Sequence, residues 1–125
     1  MRRSSLQGVR ILVVDDEEML REVVVELLQQ KGCVVSEAPS GNKAFEKLKA
    51  EDFDVLLTDV RMPDGDGLRL IQRLCDELPH RRPQILVCSG FSDVTTEMVR
   101  DLRIARILQK PFTMTELVDI LMKLI

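Results

Sequence analysis

Short aliphatic runs rich in β-branched residues alternate five times along this chain with segments whose apolar residues recur every three or four positions. The runs cover 9–14, 34–38, 54–59, 84–88 and 104–109. Each is too short for a helix and is bounded by turn-forming or charged residues, which reads as a buried strand. Between them, Leu20, Val23, Val24, Leu27 and Leu28 define a first helix, and Ala44, Phe45 and Leu48 a second. Leu68, Ile71, Leu74, Cys75 and Leu78 mark a third, Val94, Met98, Val99 and Leu102 a fourth, and Leu117, Ile120, Leu121 and Leu124 a fifth. Strictly alternating strands and helices predict an α/β domain, a parallel sheet covered on both faces, because right-handed crossovers put the helices there.

The helix ends carry their own signals. Asp15 or Asp16 is placed to cap the first helix and Ser40 the second, and Gly32 follows the last periodic residue of the first. Pro79 helps end the third, and Thr113 with Glu116 forms a capping box ahead of the fifth. For five such strands one common arrangement is the flavodoxin-like, doubly wound order 2-1-3-4-5. A chain of 125 residues with 45% hydrophobic content is one domain of ordinary size. That domain is expected over 9–125, after a flexible segment 1–8.

Composition removes several functions. A formal net charge of −3 gives no general attraction to nucleic acid or anionic lipid, and four Phe with no Tyr or Trp make no base-stacking platform. No apolar run approaches a membrane span. Cys33, Cys75 and Cys88 fit neither a disulfide framework nor a zinc pattern. They read as reduced thiols in a cytoplasmic protein. His80, the only histidine, sits in a loop with Arg81, Arg82 and Pro83 and reads as solvated.

Chemistry collects at the carboxyl ends of the strands in an open α/β sheet. The first strand ends at Asp15 and Asp16, the third at Asp59, the fourth at Ser89 and the fifth at Lys110. In the expected order these four strands lie side by side, so three carboxylates, a hydroxyl and an ammonium converge. Clustered carboxylates need a cation, and oxygen donors without Cys or His select a hard one, Mg²⁺ being the natural candidate. Lys110 offers a compact charge for a phosphoryl group and Ser89 a hydrogen bond. A carboxylate can itself be the nucleophile and form an aspartyl-phosphate. Phosphoryl transfer mainly requires positioning and charge neutralisation, which this set supplies.

These residues carry a family likeness. Val13-Val14-Asp15-Asp16-Glu17, the stretch from Asp59 to Gly67 (with Arg61-Met62-Pro63 inside it), Ser89-Gly90 and Lys110-Pro111-Phe112 together resemble a CheY-like receiver domain of two-component response regulators. The likeness runs from Arg10 to Ile125. It implies Asp59 as phosphoacceptor and Asp16 as a direct Mg²⁺ ligand, with Asp15 acting directly or through water. The backbone carbonyl of Arg61 would complete the protein's share of the metal shell, and Ser89 and Lys110 would bind phosphoryl oxygens. The phosphoryl group would come from a phosphohistidine on a sensor histidine kinase or histidine phosphotransfer protein. A cis peptide before Pro111 is implied as well. The Ser89-Gly90-Phe91 and Leu108-to-Phe112 stretches look most like receivers fused behind hybrid histidine kinases, with a stand-alone regulator as the other possibility.

One position departs from the pattern: Ile107 stands where many receivers carry Tyr or Phe. An aliphatic side chain cannot signal burial by turning a ring inward. In the fifth helix, eight apolar residues from Met114 to Ile125 span an arc of roughly 200° at helical spacing, against somewhat more than ~100° needed to pack on a sheet. Val118, Met122 and Ile125 are therefore expected at a partly exposed edge. With the fourth helix, that edge is expected to dock an effector or a second copy. Two rivals fall outside this reading. An aspartate-nucleophile hydrolase lacks its Asp-x-Asp start, since Arg61 stands two residues after Asp59. A binding module without phosphorylation would not need the full acidic set. Asp64-Gly65-Asp66-Gly67 fails the calcium-loop spacing at Leu68.

Overall fold

The computed structural model describes residues 5–81, 83–90 and 93–125. Arg82 of the expected basic loop, Phe91, and residues 1–4 lie outside them. Ten elements alternate: β1 (Arg10–Val14), α1 (Glu18–Gln30), β2 (Val34–Ala38), α2 (Gly41–Ala50), β3 (Val55–Asp59), α3 (Gly67–Glu77), β4 (Gln84–Ser89), α4 (Thr96–Asp101), β5 (Arg106–Gln109) and α5 (Met114–Leu124). The strands form one parallel sheet in the order β2-β1-β3-β4-β5, as expected.

Alternation within the strands divides the core between the two faces. Leu12, Val14, Leu56 and Val87 face one way, against Phe45 and Leu48 of α2 and Leu70, Ile71 and Leu74 of α3. Ile11, Val13, Leu57 and Leu86 face the other, against Val24, Val25 and Leu28 of α1 and Leu117 and Leu121 of α5. Leu6 is buried in this second cluster, and the Gly8 N–H donates to the Gly32 carbonyl at 2.8 Å. Packing thus begins ahead of residue 9, inside the segment expected to be flexible.

Several expectations need correction in detail. The N-cap of α1 is Glu17, not Asp15 or Asp16; Asp15 instead accepts the Glu17 N–H through Oδ1 at 2.9 Å, ahead of the helix. Val23 is half-exposed, and Val25 takes a buried place on that helix. The fourth helix is only six residues long, so Val94 and Leu102 lie outside it. Thr95 caps it by accepting the Met98 N–H, and the chain turns away at Arg103, whose φ is +55°. Ser40 and Thr113 cap their helices as read. On α5, Val118 and Met122, with Ile125 at its C-cap, are half-buried, but so are Met114, Ile120 and Leu124.

Candidate functional site

Two buried strands deliver the acids. β1 is buried from Ile11 to Val14, and Asp15 follows it, its N–H donating to the Ala38 carbonyl of β2 at 3.2 Å. Only 8% of Asp15 is exposed, whereas Asp16 next to it faces solvent. Arg21 of α1 donates through Nη1 to the Asp15 carbonyl at 2.7 Å and through Nε to Glu37 Oε1 at 2.8 Å, fixing the start of the acidic turn. β3 carries Asp59 at its end. Asp59 Oδ1 accepts the Val60 N–H at 3.0 Å, and its carbonyl accepts the Thr58 hydroxyl at 2.9 Å.

One carboxylate oxygen from each of Asp15, Asp16 and Asp59 lies within 4.8 Å of the others. Three hard oxygen donors at that spacing fit a shared octahedral divalent ion such as Mg²⁺. Lys110, just past β5, donates from Nζ to Asp59 Oδ2 at 2.9 Å. Burial alone would pull the Lys110 ammonium's pKa down, but the hydrogen bond to Asp59 and the charges of Asp59 and Asp15 hold it above the ordinary value. The Asp15 carboxyl is raised, first by desolvation. The Glu17 N–H opposes that rise, the Asp59 charge adds to it, and Lys110 offsets part of it.

Ser89, 4% exposed, ends β4 between β3 and β5, and its carbonyl accepts the Lys110 N–H at 2.8 Å. The peptide between Lys110 and Pro111 is cis. Arg61 follows Asp59 by two residues, and its side chain runs outward to pair with Asp93 at 2.8 Å. A crevice of about 580 Å³ lies there, lined by Val60, Arg61, Met62, Pro63, Asp66 and Asp93. A second, of about 340 Å³, opens between Glu17 and Leu20 on one side and Lys110, Pro111 and Phe112 on the other.

Thus the five side chains read from the strand ends sit on one rim, with Lys110 in contact with Asp59. Reading by strand ends missed three supports. Gly67 packs so tightly under Asp59 that a Cβ there would lie 1.9 Å from the Asp59 carbonyl oxygen; its presence in the turn was the available signal. Arg21 and Asp93 act across the sheet and between loops, and no local pattern reports them. The turn acids Asp64 and Asp66 are engaged locally: Asp64 accepts from Asn42 Nδ2 at 2.9 Å, and Asp66 caps α3 through the Arg69 N–H at 2.8 Å. His80 is exposed. Ile107, at 38% exposure, lies on the outer strand β5. No helix among the described residues is long and apolar enough to cross a membrane.

Residues 11–122 match the family model described as the response regulator receiver domain. The chain is 34% identical over 117 residues to the response regulator receiver protein CpdR of Brucella abortus, covering 93% of this chain and 96% of that one. It is 32% identical over 108 residues to the transcriptional regulatory protein CrdR of Helicobacter pylori, covering 86% of this chain but 51% of that protein. It spans 13% of the sensor kinase/phosphatase LuxN of Vibrio campbellii, at 33% identity over 115 residues, or 92% of this chain. Among solved structures, chemotaxis response regulator CheY4 of Vibrio cholerae superposes with a TM-score of 0.84 at 25% identity, covering 95% of this chain and 100% of that one. The response regulator TrrA of Thermotoga maritima, solved with Mg²⁺ and BeF, superposes with a TM-score of 0.80 at 27% identity, covering 94% and 99%.

Proposed function

Because the chain belongs to the response regulator receiver family, we propose that it is a phosphoacceptor switch in which Asp59 takes a phosphoryl group from a partner phosphohistidine. Membership of the family implies a histidine kinase partner and a signalling module rather than an enzyme turning over a metabolite. The observation that carries the reading is the contact of Lys110 Nζ with Asp59 Oδ2 beside the Asp15–Asp16–Asp59 cluster.

A carboxylate oxygen of Asp59 attacks phosphorus, and the phosphorus–nitrogen bond of the donor breaks. The electron pair stays on the imidazole nitrogen, which takes a proton from solvent. Asp15, Asp16, Asp59 and the Arg61 carbonyl would hold Mg²⁺, which supplies charge neutralisation for the transferring oxygens. Lys110 leaves its ground-state partner oxygen for a phosphoryl oxygen, and the Ser89 hydroxyl donates to another. The transfer replaces one carboxylate charge with roughly two phosphoryl charges. That shift biases the arrangement of α4, β5 and α5, where Met98 and Ile107 are the exposed apolar groups toward an effector or second copy.

The test is incorporation of acid-labile phosphate from a small phosphodonor in the presence of Mg²⁺. Asp59→Asn is expected to abolish it while the fold persists. Full incorporation in that variant would remove the assignment.

A further inference from the structure

One ion pair joins the residue two past Asp59 to the residue four past Ser89. Arg61 brings Nε to 3.0 Å and Nη2 to 2.8 Å from Asp93 Oδ1. The other oxygen of Asp93, Oδ2, accepts the Gly90 N–H at 3.1 Å. The Arg61 side chain is 85% exposed and that of Asp93 only 11%, so the carboxylate is the desolvated partner and both its oxygens are engaged. Gly90 directly follows Ser89. Its N–H is therefore the first backbone donor beyond the carboxyl end of β4, next to the residue whose carbonyl accepts the Lys110 N–H at 2.8 Å. An unpaired backbone N–H at a strand end can bind an anion. Here the anion comes from within the chain.

We propose that Asp93 is a positioning residue that competes with the phosphoryl group: it occupies the Gly90 amide and, through Arg61, holds the β3–α3 and β4–α4 connections in the unmodified arrangement. The proposal rests on Asp59 as the phosphoacceptor. Adding a phosphoryl group to Asp59 places about two negative charges near the Asp93 carboxylate. Repulsion and competition for the amide then act in the same direction, and Asp93 leaves. Arg61 loses its partner as Asp93 leaves. Phosphorylation thereby becomes coupled to release of the link between the two connections, while hydrolysis of the phosphoryl group lets it re-form.

Initial rates of phosphorylation by acetyl phosphate with Mg²⁺, measured in the full chain, test this. Asp93→Ala is expected to accelerate incorporation by up to about tenfold, the equivalent of one charge-assisted bond. Asp93→Asn removes the charge but keeps an oxygen for the Gly90 N–H, so it accelerates less. Equal rates in the two variants would make charge alone responsible and overturn the proposal, as would Asp93→Ala at or below the unmodified chain's rate. A second measurement needs no variant. The Gly90 amide and the Arg61 Nε–H resonances of the unsubstituted chain are expected to move together when Mg²⁺ and beryllofluoride are added. An unmoved Arg61 signal overturns the coupling. Failure of the unsubstituted chain to incorporate phosphate at all would instead strike the phosphoacceptor assignment.

Discussion

Lys110 Nζ lies 2.9 Å from Asp59 Oδ2, although the two residues are 51 positions apart in the chain. The contact is partly shielded, with 27% and 12% of the two side chains exposed. Lys110 offsets charge for Asp59 and Asp15 together. Replacing it with Met, which keeps the stem but not the charge, is expected to destabilise the Mg²⁺-free protein by about 1–3 kcal/mol. Mg²⁺ should then recover more stability in Lys110→Met than in the unsubstituted chain. Urea unfolding with and without Mg²⁺ checks this, and equal recovery in both proteins would contradict it.

Asp15 opposes folding once ionised. A carboxyl whose folded-state pKa lies above its ordinary value of 3.8 stabilises the fold fully only below that value, and the contribution is lost as pH rises through the folded value. At neutral pH the acid is charged against its desolvation, the largest cause of the shift. Asp15→Asn keeps an acceptor for the Glu17 N–H and removes the charge. It is expected to raise the neutral-pH melting temperature of the Mg²⁺-free protein by a few degrees and to remove stabilisation by Mg²⁺. The gain should shrink as the pH is lowered toward the range where Asp15 protonates. A gain that persists undiminished in acid would assign it to something other than ionisation.

Gly67 is fixed by the backbone beneath the acid. A Cβ there would meet the Asp59 carbonyl oxygen, a backbone atom, at 1.9 Å and Thr58 Oγ1 at 3.0 Å. Gly67→Ala is expected to cost about 3 kcal/mol and to lower phosphate incorporation with it. Gly90→Ala makes the comparison, because its Cβ would meet Asp93 Oδ2 at an ordinary 3.5 Å; it should cost less than about 1 kcal/mol. Chemical denaturation of both variants decides.

The three thiols should separate by reactivity. Burial pushes the Cys88 thiol up to about 12 and raises that of Cys33, whereas Cys75 is only half-buried. The thiolate is the reactive form. A short alkylation of the folded protein should modify Cys75 first, and unfolding should equalise all three. Peptide mass spectrometry reads the order; rapid modification of Cys88 in the folded chain would contradict its place in the core.

Much of this molecule was legible in its sequence because the strands are buried on both faces and end abruptly at polar residues. Val55, Leu56 and Leu57 running into Asp59 is one such signal, and the parallel order then brings four strand ends to one rim. What stayed hidden depends on distance through space. The Arg61–Asp93 pair joins residues 32 positions apart, and Arg21 reaches back to the Asp15 carbonyl and across to the Glu37 carboxylate. Helix faces were legible where the helix is long. On α4, six residues cannot bury an apolar stripe, so Val94 and Leu102 pack from the flanking turns while Met98 is exposed.

The carboxylates and the amine are not mounted alike. Asp15 follows β1 and Asp59 ends β3, neighbours inside the sheet, each paired on both sides. Lys110 follows β5, four residues long, bonded to β4 alone and open on its outer side. The acids thus form a fixed jaw and the amine a hinged one. A pull exerted on Lys110 from Asp59 would fall on the one strand of the four that is held from a single side.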